Sequence, residues 1–355
     1  MTTFIKAISD LLALLLQALR LSAVLPAAVF VALNLIFVLP QFEGTEVYHT
    51  FQSYSSSFSW GSLALLAILL IGYVLAVLNI PIIRLFEGYP LLAFGLGRRL
   101  RLSNLRRIDY LQYKVKLLNG DIEMWRKREE DNTSPQDKER AKAERQRCEL
   151  ERNLSAAELA WTYPQHQTWR TLPTRLGNVI AAAEEYPSHL FEMDSVTLWP
   201  YLTPVLTQEE YAPFVEKEKA TFDFLLNMTV LTLGLGVELA YVEVLLSGFR
   251  WEPILFRLGL ATAAAFGFYS LSIQGALSWG FTIRTAFVLY REHLRSKLGL
   301  KRPKTHGEER FLWERTSSFF RDLDRIQGDL IFDYSLKETD EPQAESKTVG
   351  NKTDE

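Results

Sequence analysis

The chain of 355 residues has little of what marks disulfide-rich proteins or nucleic-acid-binding proteins. Its single cysteine, Cys148, excludes an intrachain disulfide and indicates a reduced thiol. The formal net charge is only −3, so no basic excess predicts nucleic acid as a partner. The informative features therefore lie in local patterning and not in overall composition.

Motifs for catalysis or metal binding are also missing. The five histidines show neither H-E-x-x-H nor another paired metal spacing; they are His49, His166, His189, His293 and His306. There is no G-x-S-x-G elbow, Walker A loop or kinase signature. We therefore predict no enzyme activity, metal or cofactor. A hydrolase or transferase site built from scattered residues is the alternative left open.

Charge is missing from long stretches of the sequence. Three apolar stretches carry no ionisable side chain, and a fourth carries only two glutamates. The stretches are Leu21–Phe42, Gly61–Ile83, Phe224–Phe249 and Leu258–Ile283. Because about 20 apolar residues cross a bilayer as a helix, the sequence predicts an all-α integral membrane protein with four transmembrane helices in a lipid bilayer.

Basic residues are distributed unevenly between the connecting segments. Gln41–Trp60 has no lysine or arginine, whereas Arg84–Lys219 and the segment after Ile283 are rich in both. Basic segments remain on the cytoplasmic side. We therefore predict a multi-pass protein of the inner (plasma) membrane with both termini in the cytoplasm.

These patterns divide the chain into six segments. We expect an interfacial amphipathic helix at 1–20, transmembrane helices 1 and 2 at 21–84, a cytoplasmic helical domain at 85–220, transmembrane helices 3 and 4 at 221–283, cytoplasmic C-terminal helices at 284–336 and a disordered tail at 337–355.

Heptad spacing predicts an antiparallel helical hairpin at about 104–161. One seam follows Ile108, Leu111, Val115, Leu118, Ile122 and Trp125; after a break at 129–136, a second follows Leu150, Leu154, Ala157 and Trp161. Either the hairpin packs only on itself, or it is a coiled-coil arm for oligomerisation or for docking a partner. The two short seams do not separate these readings.

A layer rich in tryptophan and proline follows at 161–204. Thr174 is placed to cap a helix, and Gly177 allows a neighbouring backbone to approach. An E-x-Y-P turn at Glu184–Pro187 echoes another at Glu87–Pro90. We predict a cytoplasmic interaction surface in this layer; its candidate residues are Trp169, Thr174, Arg175, Asn178, Glu185 and Trp199.

The string LPTRLGNVIAAAEEYP at 172–187, the LWPYL that follows and NIPIIRLFEGYP at 79–90 resemble segments of an uncharacterised family of bacterial multi-pass membrane proteins. The resemblance covers most of the region between the second and third apolar stretches. It implies a four-span bacterial protein with this cytoplasmic insert. It does not point to any particular activity.

Polar side chains inside the spans form a second candidate site, because charges at membrane depth usually have partners or a cavity. The set is Glu238, Glu243, Arg257 and Gln274. Glu243 and Arg257 are expected at similar depth, which favours a structural ion pair. Glu238 is either the lining of a pore, proton or ion path, or a protonated glutamate bonded to a neighbouring helix.

Two functions are consistent with these features. One is a membrane-anchored scaffold whose cytoplasmic domain recruits a protein partner. The other is an oligomeric channel or membrane-permeabilising effector gated by that domain. Gly259, Ala263 and Gly267 form a small-residue ridge that permits tight helix contacts within one chain or between copies, so we expect a homo-oligomer.

Overall fold

The computed structural model describes residues 21–46, 48, 60–131, 134–322 and 331–332. Within these residues the chain is all-helical; the only β-type pairing there is an isolated bridge between Leu300 and Phe332. The helices are α1 (Leu21–Leu33), α2 (Trp60–Val77), α3 (Asn79–Glu87), α4 (Gly95–Asp131), α5 (Pro135–Thr162), α6 (Arg175–Phe191), α7 (Ser195–Gln208), α8 (Ala212–Ser247), α9 (Trp251–Lys297) and α10 (His306–Asp322). The segments predicted at 1–20 and 337–355, and His49, lie outside the described residues.

Three helical segments are long and apolar enough to cross a membrane. They are Ser22–Phe42, in which α1 continues through a π turn and a 3₁₀ turn, and the helices α8 and α9. Helices α8 and α9 pack along each other, and α1 packs against both α2 and α8. The chain is thus a helical protein with several membrane-compatible helices.

The second apolar stretch is bent and is not one straight helix. Helices α2 and α3 meet at 57°, whereas the uncharged run Gly61–Ile83 predicts a continuous span. Pro81 supplies the physical reason, because it has no N–H to bond the carbonyl of Val77 four residues earlier. The pair forms either a broken span or a re-entrant turn.

Helix α9 extends well beyond the last apolar stretch. Its 47 residues correspond to about 70 Å, compared with about 30 Å for the hydrocarbon layer. Its C-terminal part buries Phe287 and Leu294 in a core shared with Leu202 of α7 and Trp313 of α10. We call α4–α7, this part of α9, and α10 the extramembrane module. A single helix therefore joins the module to a span.

Helix α6 lies where the module meets the spans. Its apolar residues Leu176, Val179 and Ile180 share a core with residues of α1, α2, α3, α8 and α9. Four of the partners in this core are Ala23, Leu75, Phe222 and Ile273. The Trp- and Pro-rich layer of the sequence is thus largely interior. Burial of the mostly apolar helix α6 removes its apolar surface from water, which stabilises the folded chain.

Helices α4 and α5 form an arm in which one predicted seam is correct. Ile108, Leu111, Leu118 and Ile122 of α4 are buried, as the heptad pattern predicts. Ion pairs join α4 to α5: Arg107 to Glu158 at 2.9 Å, Lys114 to Glu151 at 3.6 Å and Arg145 to Glu129 at 2.9 Å.

The predicted α5 seam does not pack against α4. Leu150 and Leu154 are 61% and 63% exposed, and Ala157 and Trp161 are exposed too. The inner face of α5 instead holds Ala141, Ser155, Leu159 and Thr162. This rotation places Leu159 in one core with Ile108 and Leu111 of α4, and the ion pairs flank that core.

Small residues serve one tight contact between two of the membrane-compatible helices. A Cβ added at Gly236 of α8 would overlap the side chain of Ala261 on α9. The predicted ridge on α9 is oriented differently, because an added Cβ at Gly259 or Gly267 meets no described atom within 4 Å. Among the described residues, these two glycines therefore face open space.

Candidate functional site

The first E-x-Y-P turn docks onto the start of α6. Thr174 caps α6 by accepting a hydrogen bond from the backbone N–H of Gly177 at 3.0 Å, as the sequence predicts. Its hydroxyl also donates to the carbonyl oxygen of Glu87 at 2.8 Å. Gly88 makes the turn possible with a φ of +91°. The Thr174 hydroxyl therefore connects two segments that are 87 residues apart in the sequence, since it caps α6 and also bonds to the backbone of the first E-x-Y-P turn.

Gly177 permits this close approach because it has no side chain. An added Cβ would overlap the carbonyl oxygen of Glu87 and would lie 2.9 Å from Cδ1 of Leu172. The glycine is thus required by contact with another segment of the chain and not by a positive φ.

A cleft of about 660 Å³ opens beside this junction. Its walls come from the first E-x-Y-P turn, the loop before α6, α6 itself, the start of α7 and α10. The leading glutamate of each E-x-Y-P turn, Glu87 and Glu184, lines it. The two repeated turns therefore meet at one cavity, which the sequence echo alone does not show.

The arginines of the cleft are committed to protein partners. Arg170 pairs with Glu184. Arg101 donates to the carbonyl oxygens of Trp169 and Thr171, both at 2.9 Å. Arg321 pairs with Asp194 at 3.4 Å, and Asp194 also caps α7. The contacts of these three arginines thus hold the segments of the cleft wall together.

The carboxylate of Glu87 has a different environment. Glu87 is 8% exposed, and within the described part of the chain no group donates a hydrogen bond to its side chain and no cation pairs with it. Burial raises the pKa of the nearby Tyr89 phenol, and the carboxylates of Glu87 and Glu184 raise it further. Burial also raises the pKa of Glu184, against the attraction of Arg170.

Two of the six predicted interaction residues lie in the interior. Asn178 and Glu185 are buried, so their assignment to a surface is corrected. The Asn178 amide accepts from the N–H of Leu172 at 2.8 Å and donates to the carbonyls of Leu172 and Thr174. Glu185 accepts from three consecutive backbone N–H groups, at 165–167. Both side chains hold the loop before α6 in place.

The other four residues are spread over different surroundings. Trp169 is 72% exposed and lines the cleft, and Arg175 is exposed at the first turn of α6. Trp199 is half-buried against Phe287, and Thr174 is occupied by capping. The six predicted residues therefore do not form one surface.

The intramembrane polar residues also separate into different groups. Glu243 and Arg257 form the expected ion pair at 2.8 Å, and Arg250 is a second partner of Glu243. Glu238 is instead half-buried beside Asn34, whose amide donates a hydrogen bond to the carbonyl oxygen of Phe30 at 3.1 Å. Gln274 is exposed on α9. The four predicted residues are not assembled into one site.

Some groups near the cleft carry no sequence signal. Arg101, Asp194 and Arg321 belong to no motif, and only folding places them around one cavity. The rings of His166 and His189 stack at 3.5 Å, which their separation in sequence does not reveal. The described residues include no cluster of three or more metal-ligating side chains. In comparisons with protein-family models, curated proteins and solved structures, nothing matches this chain.

Proposed function

We propose that the chain is a membrane-anchored scaffold that recruits a cytoplasmic protein through the arm formed by α4 and α5. In this proposal α2 and α3 form a broken fourth span of the inner membrane. The arm is an antiparallel hairpin that projects into the cytoplasm together with both termini. The distribution of lysine and arginine supports this orientation, because the basic connecting segment contains the arm.

The exposed apolar stripe on α5 carries the proposal. Leu150, Leu154 and Ala157 keep heptad-type spacing and are exposed, and Trp161 at the end of the stripe is 37% exposed and packs against Phe281 and Arg284 of α9. A groove of about 220 Å³ runs beside the stripe, where Tyr110 of α4 and Leu154 contribute apolar surface between ion-paired residues. Because leucines at such spacing are typical of helix–helix contacts, we expect the occupant to be an amphipathic helix of the partner.

The channel hypothesis has less support. Glu238 lies beside Asn34, and neighbouring polar side chains of this kind are typical of packing between helices. The cleft of about 660 Å³ lies between the extramembrane module and the end of α3, and not between the spans. The ridge at Gly259, Ala263 and Gly267 supports a homo-oligomer formed through the membrane face of α9, and such an oligomer is compatible with a scaffold.

The test uses the full-length protein cross-linked in intact cells and purified from membranes. We expect the wild-type chain to yield a stoichiometric cross-link to one cytoplasmic protein. The double substitution L150E/L154E is expected to remove that cross-link, because two carboxylates would be buried in an apolar contact.

The control is N153E, which adds one carboxylate instead of two, about 100° around the helix from Leu154 and about 60° from Leu150. It is expected to retain the cross-link, since Asn153 is exposed and lies at the edge of the stripe. An unchanged cross-link in L150E/L154E, equal loss in both variants, or cross-links only between copies of the chain would overturn partner docking by this stripe.

A further inference from the structure

We infer that the cleft between the first E-x-Y-P turn and helices α6, α7 and α10 binds a small organic cation, an ammonium or guanidinium compound, with the carboxylate of Glu87 as its anchor. This inference concerns a different face from the α5 stripe. It does not rest on the scaffold function.

The first argument is the uncompensated charge of Glu87. A buried carboxylate normally has an ion-pair partner or hydrogen-bond donors, because isolation from water is costly. Glu87 lines the cleft but has neither within the described residues; Arg84, one turn earlier, is exposed and attracts the carboxylate without forming an ion pair with it. A buried ionisable group of this kind in a cleft is typical of a ligand-binding site.

The second argument is the sign of the remaining charge. The arginines of the cleft, Arg101, Arg170 and Arg321, are engaged with carbonyls or carboxylates. An anion would have to compete with these partners for the arginines. A cation can instead pair with the carboxylate of Glu87, which has no ion-pair partner among the described residues. The described residues hold no metal-binding cluster, so the complementary cation is organic and not a metal ion.

The third argument is the remaining surface of the cleft. Tyr89 and Trp169 line it and are 51% and 72% exposed, and aromatic faces of this kind attract ammonium and guanidinium groups. The hydroxyl oxygen of Thr171, in the wall, is buried and has no hydrogen-bond partner among the described residues. The volume of about 660 Å³ is in the range of small-molecule sites.

The test is calorimetric titration of the full-length protein in detergent. The probes are putrescine and agmatine, with butane-1,4-diol as the uncharged analogue and inorganic phosphate as the anion. We expect the two amines to bind and the diol and phosphate to give no signal. A short arginine-containing peptide tests whether the cation bound by the cleft is the side chain of a peptide and not a free small molecule. Its binding in competition with agmatine would support the site and identify a peptide as the source.

The variants are E87Q and the matched control E314Q. Both remove one negative charge from the lining of the cleft, but Glu314 is exposed. Loss of a charge-assisted hydrogen bond is expected to weaken amine binding by about tenfold or more in E87Q, whereas E314Q should change it by less than about twofold. No binding by the wild type, equal weakening in both variants, or binding of phosphate alone would overturn the inference.

Thermal unfolding separates a ligand anchor from a structural residue. Without ligand, E87Q should unfold at a higher temperature than the wild type, because it removes an unpaired buried charge. Agmatine should raise the unfolding temperature of the wild type and of E314Q, but not of E87Q. An E87Q protein that is misfolded or less stable than the wild type would show that Glu87 is structural, and would also overturn the inference.

Discussion

Substitution of Gly177 by alanine tests the junction on which the cleft depends. An added methyl group overlaps the carbonyl oxygen of Glu87, which is backbone and cannot rotate away. Either the E-x-Y-P turn or α6 must therefore move. That movement also strains the 2.8 Å hydrogen bond from Thr174 to Glu87.

The magnitude follows from three contributions. Overpacking at a rigid contact costs about 1–3 kcal/mol, and loss of the Thr174 hydrogen bond costs about 1 kcal/mol. Alanine regains at most about 1 kcal/mol through its higher helix propensity. We expect G177A to lower the free energy of unfolding by about 1–3 kcal/mol.

Gly120 in α4 provides a control within the same chain. It is an exposed helical glycine, and an added Cβ there meets no described atom within 4 Å. G120A should therefore raise the free energy of unfolding by about 0.5–1 kcal/mol through backbone entropy.

The assay is denaturant unfolding of the full-length protein in detergent, followed by tryptophan fluorescence. The two alanine variants should differ by about 2–4 kcal/mol, although the chemical change is identical. The reasoning is refuted if G177A is as stable as the wild type, or if both variants shift stability in the same direction by similar amounts.

Three further substitutions test the other contacts. E243Q should lower the stability of the α8–α9 pair, because Arg257 and Arg250 lose the carboxylate that pairs with both of them; unchanged unfolding in detergent would contradict this. E185Q should lower stability by about 1–3 kcal/mol, since an amide nitrogen would face backbone N–H donors, and the exposed E314Q is its control. R284M removes hydrogen bonds to the carbonyls of residues 160 and 182 and a guanidinium stacked 4.3 Å from Trp161; we expect faster proteolysis of the arm and altered tryptophan emission, and an unchanged digestion pattern would count against it.

Local sequence features predicted several elements correctly because short-range chemistry specifies them. The cap at Thr174, the break between α4 and α5 and the α4 seam depend on neighbouring residues along the chain. The ion pair of Glu243 with Arg257 also follows from the sequence, since two helices joined by a short turn bring similar depths together. Pro81 is also a local indication of the bend between α2 and α3. The long uncharged run around it nevertheless led to the prediction of one continuous span.

The remainder of the site depended on contacts between distant segments. The face of α5 turned to α4 is not the predicted seam, because Leu159 and Tyr163 pack into one core with Ile108 and Leu111 while Leu150 and Leu154 remain exposed. Asn178 and Glu185 read as exposed polar residues until the loop before α6 folds over them and uses their oxygens as backbone acceptors.

The sequence by itself determined that the protein is helical, that its apolar stretches are suited to a membrane and where several helices begin and end, because composition and periodicity act over one or two turns. Only the tertiary structure decided that the two E-x-Y-P turns share one cleft and that Glu87 lines it without an ion pair or a donor among the described residues. The physical reason is that pairing and burial of a charge depend on packing between segments 87 or more residues apart, which no local pattern encodes.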